Sequence, residues 1–143
     1  MRVAAVCSCL TLAVASLACG DQAIPSGPPP SFAADPDQLL ASDSGALVIA
    51  VRFAPRPPAL GSNAVELSFT DQGGASMPGL GLEVVPWMPA HGHGTSVSPT
   101  ITETAPGRFV ATPLYLFMPG SWELHITTSG TVDDTAKAAF EIP

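Results

Sequence analysis

Two of the three histidines in this 143-residue chain lie in one short run, residues 87–94, whose sequence is WMPAHGHG. Imidazole nitrogen and thioether sulfur are neutral donors that copper accepts. His91 and His93 are two residues apart, so extended backbone places both side chains on the same side, and a turn at Gly92 would also let them converge. We therefore expect any metal chemistry of this chain to be centred on this run.

Every methionine beyond the initiator is followed by proline: Met77, Met88 and Met118. A residue before proline is biased towards extended geometry, which places these side chains at strand ends. Strand ends meet at the poles of a β-sandwich, so Met88 and Met118 can face the histidine pair. The predicted metal site is Met88, His91, His93 and Met118, a soft donor set that suits a copper ion, above all Cu(I).

Two other interpretations of residues 87–94 stay open at this point. Methionine and proline beside glycine are also typical of a structural loop, in which the methionine fills the end of the core. Zinc or another metal is the third interpretation, because imidazole binds several transition metals. Convergence of the four side chains favours copper, whereas splayed side chains favour the structural loop.

The N-terminal residues have the pattern of a secretory signal peptide. Arg2 is followed by an apolar run and then by small residues, so we predict that residues 1–18 are removed on export. The small residues before Cys19 resemble a lipobox, apart from Ser16, and ordinary cleavage after Ala18 is also permitted. We predict lipidation of Cys19, because it would otherwise be a free thiol in an exported protein. The other two cysteines leave with the signal, so no internal disulfide can form.

The amino-acid composition and the residue pattern of the chain change at Gly45. Residues 19–44 are rich in proline and small polar residues, which predicts a solvated tether after the lipidated cysteine. Residues 45–143 contain short alternating runs separated by turn residues, which is typical of an antiparallel, immunoglobulin-like β-sandwich of about seven strands. The predicted strands are residues 46–53, 63–70, 80–85, 97–104, 108–117, 122–128 and 136–142.

Alternation within these runs predicts which side chains face inward, because successive residues of a strand point to opposite faces. Five side chains are predicted to lie buried between the sheets: Leu67, Phe69, Trp122, Leu124 and Ile126. His125 falls on the opposite face from Trp122 and Leu124. We therefore interpret His125 as a solvated strand residue and not as a metal ligand.

Charge and motifs exclude two broad classes of function. The chain has five lysines and arginines against twelve acids and a net charge of −7, whereas nucleic-acid binding needs clustered cations. The sequence contains no nucleophile elbow, no HExxH helix and no glycine-rich phosphate loop. We expect no nucleic-acid partner and no enzymatic activity.

Several motifs, taken in order, resemble those of the YtkA-like domain family, which is related in pattern to the FixH proteins. DQGG at 71–74 with GLG at 79–81 resembles the family's D-x-x-G-x-P-x-x-G, and residues 87–94 resemble its M-P-x-M-x-H-G. PGRF at 106–109 resembles P-G-x-Y, and MPGSWEL at 118–124 resembles M-x-G-x-W-x-L. The resemblance covers roughly residues 60–142. It departs at His91, where the family has its second methionine, and at Phe109, where the family has tyrosine.

The resemblance implies an exported accessory or binding domain without catalytic residues, and it implies copper handling in relatives. Our first hypothesis is a lipid-anchored protein of the periplasm or cell surface that binds copper and serves a copper-dependent envelope protein. The alternative is an interaction module of a cell-envelope assembly, in which the histidine run only shapes a loop. A carbohydrate-binding sandwich is a weaker third hypothesis, since only 6% of the residues are aromatic.

Overall fold

The structure, a computed structural model, describes residues 28–143 of the chain. The predicted signal peptide, Cys19 and the first part of the predicted tether lie outside these residues. The strands are β1 (Gln38–Ala41), β2 (Val48–Ala54), β3 (Gly61–Thr70), β4 (Gly81–Met88), β5 (His93–Gly94), β6 (Thr100–Ala105), β7 (Arg108–Leu116), β8 (Gly120–Ser129) and β9 (Asp134–Ile142). Within residues 28–143, no helix has the length and apolar character needed to cross a membrane.

Two antiparallel sheets form the sandwich. The five-stranded sheet has the order β1-β2-β3-β7-β6, and the four-stranded sheet has the order β5-β4-β8-β9. This confirms the predicted all-β, immunoglobulin-like architecture, and all seven predicted strands correspond to observed ones. The two additional strands are β1, which lies in the proline-rich segment, and β5, which has two residues within the histidine run. Neither strand has an alternation of apolar and polar residues in its sequence that would have predicted it.

The core confirms the inward faces that alternation predicts. Leu67, Phe69, Trp122, Leu124 and Ile126 are all at most 1% exposed. A large apolar cluster fills most of the space between the sheets, and a smaller cluster closes one end of it. The smaller cluster contains Met88, Leu116, Trp122 and Ile142, with Met118 and Phe140 packed against it.

We call this end of the sandwich the hairpin pole. The loops of residues 55–60, 89–92 and 117–119 lie there, because β2, β4 and β7 end and β3, β5 and β8 begin at this pole. The opposite pole contains the loops of residues 42–47, 71–80 and 130–133 together with the turn between β6 and β7. The smaller core cluster therefore lies directly beneath the predicted metal site.

The described part of the predicted tether packs against the five-stranded sheet. Arg52 donates to the carbonyl of Ala34 over 3.2 Å, and the backbone N–H of Phe53 donates to the carboxylate of Asp37 over 2.7 Å. Strand β1 then pairs with β2 along its whole length. The sandwich consequently begins at Gln38 rather than at Gly45, because these hydrogen bonds fix a segment that composition alone describes as solvated.

The same segment accompanies an unexpected burial on the outer face of this sheet. Alternation places Glu66 outside the core, yet this residue is only 8% exposed, and residues 32–34 of the same segment line a pocket together with it. Arg52 lies 3.3 Å and Arg108 4.0 Å from its carboxylate oxygens. The buried charge is therefore compensated by two guanidinium groups.

Candidate metal-binding hairpin

Residues 87–94 fold into a tight hairpin between β4 and β5. The carbonyl of Met88 accepts hydrogen bonds from the backbone N–H groups of His91 (3.1 Å) and Gly92 (3.0 Å). Pro89 occupies the first central position of this turn, where its fixed φ is favourable. Gly92 has a φ of +67°, a left-handed conformation that glycine adopts without strain. The sequence that suggested a turn thus forms one.

The turn brings the two histidine side chains together at the exposed tip of the hairpin. The ring centroids of His91 and His93 are 5.6 Å apart, and the ring planes are inclined by 50°. Two imidazoles bound to one ion at about 2.0 Å would have centroids about 5 Å apart in a tetrahedral arrangement and about 6 Å apart in a linear one. The observed separation lies between these values and therefore matches the spacing that a shared ion requires.

A backbone contact favours one orientation of the second ring. Nδ1 of His93 lies 3.3 Å from the carbonyl oxygen of Gly94. Histidines that bind metals commonly donate their other ring N–H to a backbone carbonyl, which fixes the tautomer and leaves the far nitrogen for the ion. This contact would leave Nε2 of His93 as the free donor.

Met88 connects the hairpin to the core. It lies directly opposite His93 in the β4–β5 ladder, so both side chains start from the same face of the sheet. Met88 is nevertheless only 3% exposed and packs in the smaller core cluster, where its methyl carbon lies beside Gly120. A Cβ on Gly120 would come within 3.1 Å of that methyl group. Met88 therefore fills the end of the core beneath the histidines.

Met118 lies on the neighbouring loop and is half-buried against the same cluster. Its carbonyl accepts a hydrogen bond from the indole N–H of Trp122 over 3.0 Å, which holds the loop against the core. His91 and His93 thus lie together on the surface, whereas Met88 is buried in the smaller core cluster and Met118 packs against it. The four side chains do not converge on one point, so their placement by itself favours the structural-loop interpretation. One member of each pair, Met88 and His93, lies opposite the other in the β4–β5 ladder.

The donors at the hairpin pole are therefore two imidazoles and two thioethers. Within residues 28–143, no group of three or more histidine, cysteine, aspartate or glutamate side chains is arranged to hold a metal ion. Met88 and Met118 carry the sulfur atoms of the smaller core cluster, and sulfur prefers soft ions.

His125 occupies a separate site on the outer face of the four-stranded sheet. Its Nε2 lies 2.7 Å from the carboxylate of Glu123, and its ring stacks on Trp87 with centroids 5.9 Å apart. His125 is half-buried rather than freely solvated. The hydrogen bond from His125, with the positive charge of Lys137 nearby, holds the pKa of Glu123 below its usual value. The sequence did not predict this cluster, because the contact between Trp87 and His125 depends on the register between β4 and β8.

Replacing His125 by alanine tests this separation of sites. We expect His125→Ala to raise the pKa of Glu123 towards the ordinary carboxyl value of about 4.3, because the hydrogen bond to the carboxylate is lost. Copper affinity should stay unchanged, since His125 lies on the outer face and not at the hairpin. NMR titration of the Glu123 carboxyl measures the first effect, and a copper titration measures the second. A large loss of copper affinity would contradict this placement.

Comparisons with known proteins agree with the fold. The model of the YtkA-like family matches residues 43–127, more than half of the chain. The crystal structure of a DUF4426 family protein from Pseudomonas aeruginosa PAO1 is similar with a TM-score of 0.53 at 10% identity, over 74% of this chain and 96% of that one. A copper-bound variant of FetP from uropathogenic Escherichia coli has a TM-score of 0.49 at 8% identity, over 73% and 93%. No curated protein matches the sequence.

Proposed function

Because the chain belongs to the YtkA-like family, we propose that it is an exported, lipid-anchored accessory protein of the cell envelope that binds copper at the hairpin pole. The observation that carries this proposal is the 5.6 Å separation of the His91 and His93 rings directly above a methionine-containing core cluster. The proposed ligands are His91, His93, Met88 and Met118. The role is binding rather than catalysis, because these residues offer donors for an ion and no activated nucleophile.

The exposure of the donors supports a carrier rather than a permanent structural site. His91 and His93 are exposed, so an ion can reach them and leave again without opening the fold. Two exposed imidazoles beside a methionine-containing core cluster suit the transfer of copper to a copper-dependent envelope protein.

The two methionines differ in how readily they can contribute sulfur. Met118 is half-buried on a loop, whereas Met88 is 3% exposed and held in the core cluster. Coordination by Met88 therefore requires its thioether to turn from the core towards His93, whose side chain starts from the same face. Methionine has three rotatable bonds and tolerates such repacking better than branched side chains do.

Metal titration of the mature chain tests this function. We use the Cys19→Ser variant, so that a free thiol cannot compete for the ion. Cu(I) should bind with one equivalent and at least about tenfold more tightly than Zn²⁺, because thioether sulfur prefers the softer ion. Binding should weaken as the pH is lowered, because protonated imidazole cannot ligate. Equal affinity for both ions, or the absence of saturable binding, would contradict the proposed copper-binding function.

The anchor is tested separately. We expect Cys19 to be the first residue of the mature protein and to carry lipid, since small residues precede it and a proline-rich segment follows. Mass spectrometry of the protein extracted from membranes measures the mass of its N-terminal peptide. The Cys19→Ser variant is the matched control and should appear without lipid. A wild-type product that begins at an unmodified Cys19 would reject the anchor and leave copper binding untouched.

A further inference from the structure

Three large apolar side chains are exposed side by side at the hairpin pole. Leu60 and Phe117 are each 54% exposed, and Tyr115 is 40% exposed. Gly61 lies opposite Leu116 in the β3–β7 ladder, so the residues that flank this pair, Leu60 and Phe117, lie next to each other where the ladder ends. We call Leu60, Tyr115 and Phe117 the apolar rim. Such a patch at one end of a domain is typical of an interaction surface.

The charges of the two poles differ. The hairpin-pole loops, residues 55–60, 89–92 and 117–119, contain Arg56 and His91 but no carboxylate, and His93 follows directly in β5. Two acids flank these loops: Asp37, which lies 2.6 Å from Arg56, and Glu141, which accepts a hydrogen bond from Ser121 over 2.7 Å. The opposite pole has five carboxylates in its loops and at its strand ends: Asp43, Asp71, Glu103, Asp133 and Asp134. An anionic surface would therefore be approached by the hairpin pole and not by the acidic one.

The N-terminal segment approaches the domain beside the apolar rim. Pro28, Pro29 and Pro30 line a groove of about 740 Å³ together with Tyr115. Eight residues lie between Cys19 and Pro28, and a fully extended chain from one to the other spans at most about 30 Å. The inference rests on the proposed anchor: a lipid attached at Cys19 would keep Pro28, and the side of the domain beside Tyr115 with it, within about 30 Å of the bilayer.

We propose that the hairpin pole rests on the phospholipid surface, with the apolar rim among the headgroups and the acidic pole directed away. Aromatic side chains favour the interface between headgroups and hydrocarbon, where a ring is accommodated and a hydroxyl stays hydrated. The rim is too small to hold the protein on a membrane by itself, so the anchor provides attachment and the rim sets orientation. In this orientation the histidine hairpin faces the bilayer, where a membrane-embedded partner is within reach.

Hydrogen–deuterium exchange on vesicles tests this orientation. The mature chain is coupled through Cys19 to a maleimide lipid in vesicles of phosphatidylethanolamine and phosphatidylglycerol, so the result does not depend on natural lipidation or on copper. Exchange in residues 55–62 and 113–120 should become at least about threefold slower than in the uncoupled protein, because inserted loops open less often. Residues 43–46, 71–75 and 130–133 at the acidic pole should exchange at unchanged rates.

Three variants separate the rim from the tether. The double variant Leu60→Ser/Tyr115→Ser should abolish the added protection. A triple variant that also carries Phe117→Ser removes all three side chains of the apolar rim. The double variant keeps Phe117, whose ring packs edge-on against Trp122, so that the core stays intact. Leu39→Ser is the matched control, because Leu39 is the most exposed large apolar side chain of residues 28–143 and lies away from this pole. Uniform exchange at both poles, or protection that survives loss of Leu60 and Tyr115, would overturn the proposal and favour a protein partner for the rim.

Discussion

The double substitution of His91 and His93 by alanine should lower the affinity for Cu(I) by about a hundredfold or more, because two of the four proposed donors are removed. The fold should be unaffected. Both side chains are exposed on a hairpin tip, and the turn is held by backbone hydrogen bonds to the carbonyl of Met88 and by the left-handed Gly92. Competition titration with a Cu(I) chelator gives the affinity, and thermal unfolding gives the stability.

Matched controls make this result specific. His125→Ala removes the third histidine, which lies on the outer face of the four-stranded sheet, and should leave the affinity unchanged. Met118→Leu keeps the size and apolar character of a half-buried side chain but removes its sulfur. It should weaken Cu(I) binding more than Zn²⁺ binding, since only the softer ion prefers thioether. If the double histidine variant binds copper as tightly as the wild type, the hairpin is a structural loop. The alternative function, an interaction module of a cell-envelope assembly, then replaces copper binding.

Replacing Trp122 by alanine should lower the free energy of unfolding by about 3–5 kcal/mol, because a large cavity opens in the core. Trp122 is 1% exposed and packs in the smaller cluster with Met88, Leu116 and Ile142. Its indole N–H also donates to the carbonyl of Met118, so the substitution releases the loop that carries this methionine. Denaturant unfolding followed by circular dichroism measures the change.

Trp87→Ala is the control for this loss. Trp87 lies half-buried on the outer face of the four-stranded sheet, where its ring stacks on His125, so its removal leaves no core cavity. We expect a cost of about 1 kcal/mol, which is typical of a substitution outside the core. A loss below about 1 kcal/mol for Trp122→Ala would mean that the pole relaxes around the missing ring. In that event the smaller cluster could not be what positions Met88 and Met118.

Alternation along the longer strands was sufficient to predict the sandwich. Leu67 and Phe69 on β3 and Trp122, Leu124 and Ile126 on β8 face inward as the period of two requires, and a slip of one residue would bury Glu123 instead. The turn at Gly92 was also predictable, because Pro89 and Gly92 each restrict the local backbone conformation. These features depend on residues close together in the chain, which is why sequence was enough.

Other features depend on contacts between distant parts of the chain. A four-residue strand and a two-residue strand have no periodicity to detect, so β1 and β5 follow from their pairing with β2 and β4. The burial of Glu66 accompanies its ion pairs with Arg52 and Arg108, which come from two other strands. Alternation states which face a side chain occupies, but it does not state what covers that face.

The candidate site shows the same division. Sequence alone determined that the donors of residues 87–94 lie at a strand end and a turn, because proline and glycine restrict the backbone locally. Only the tertiary structure decided that Met88 turns into the core beside Gly120 while His91 and His93 stay exposed. The physical reason is packing: the end of the core needs an apolar side chain to fill it, and the methionine does so while the imidazoles remain in water.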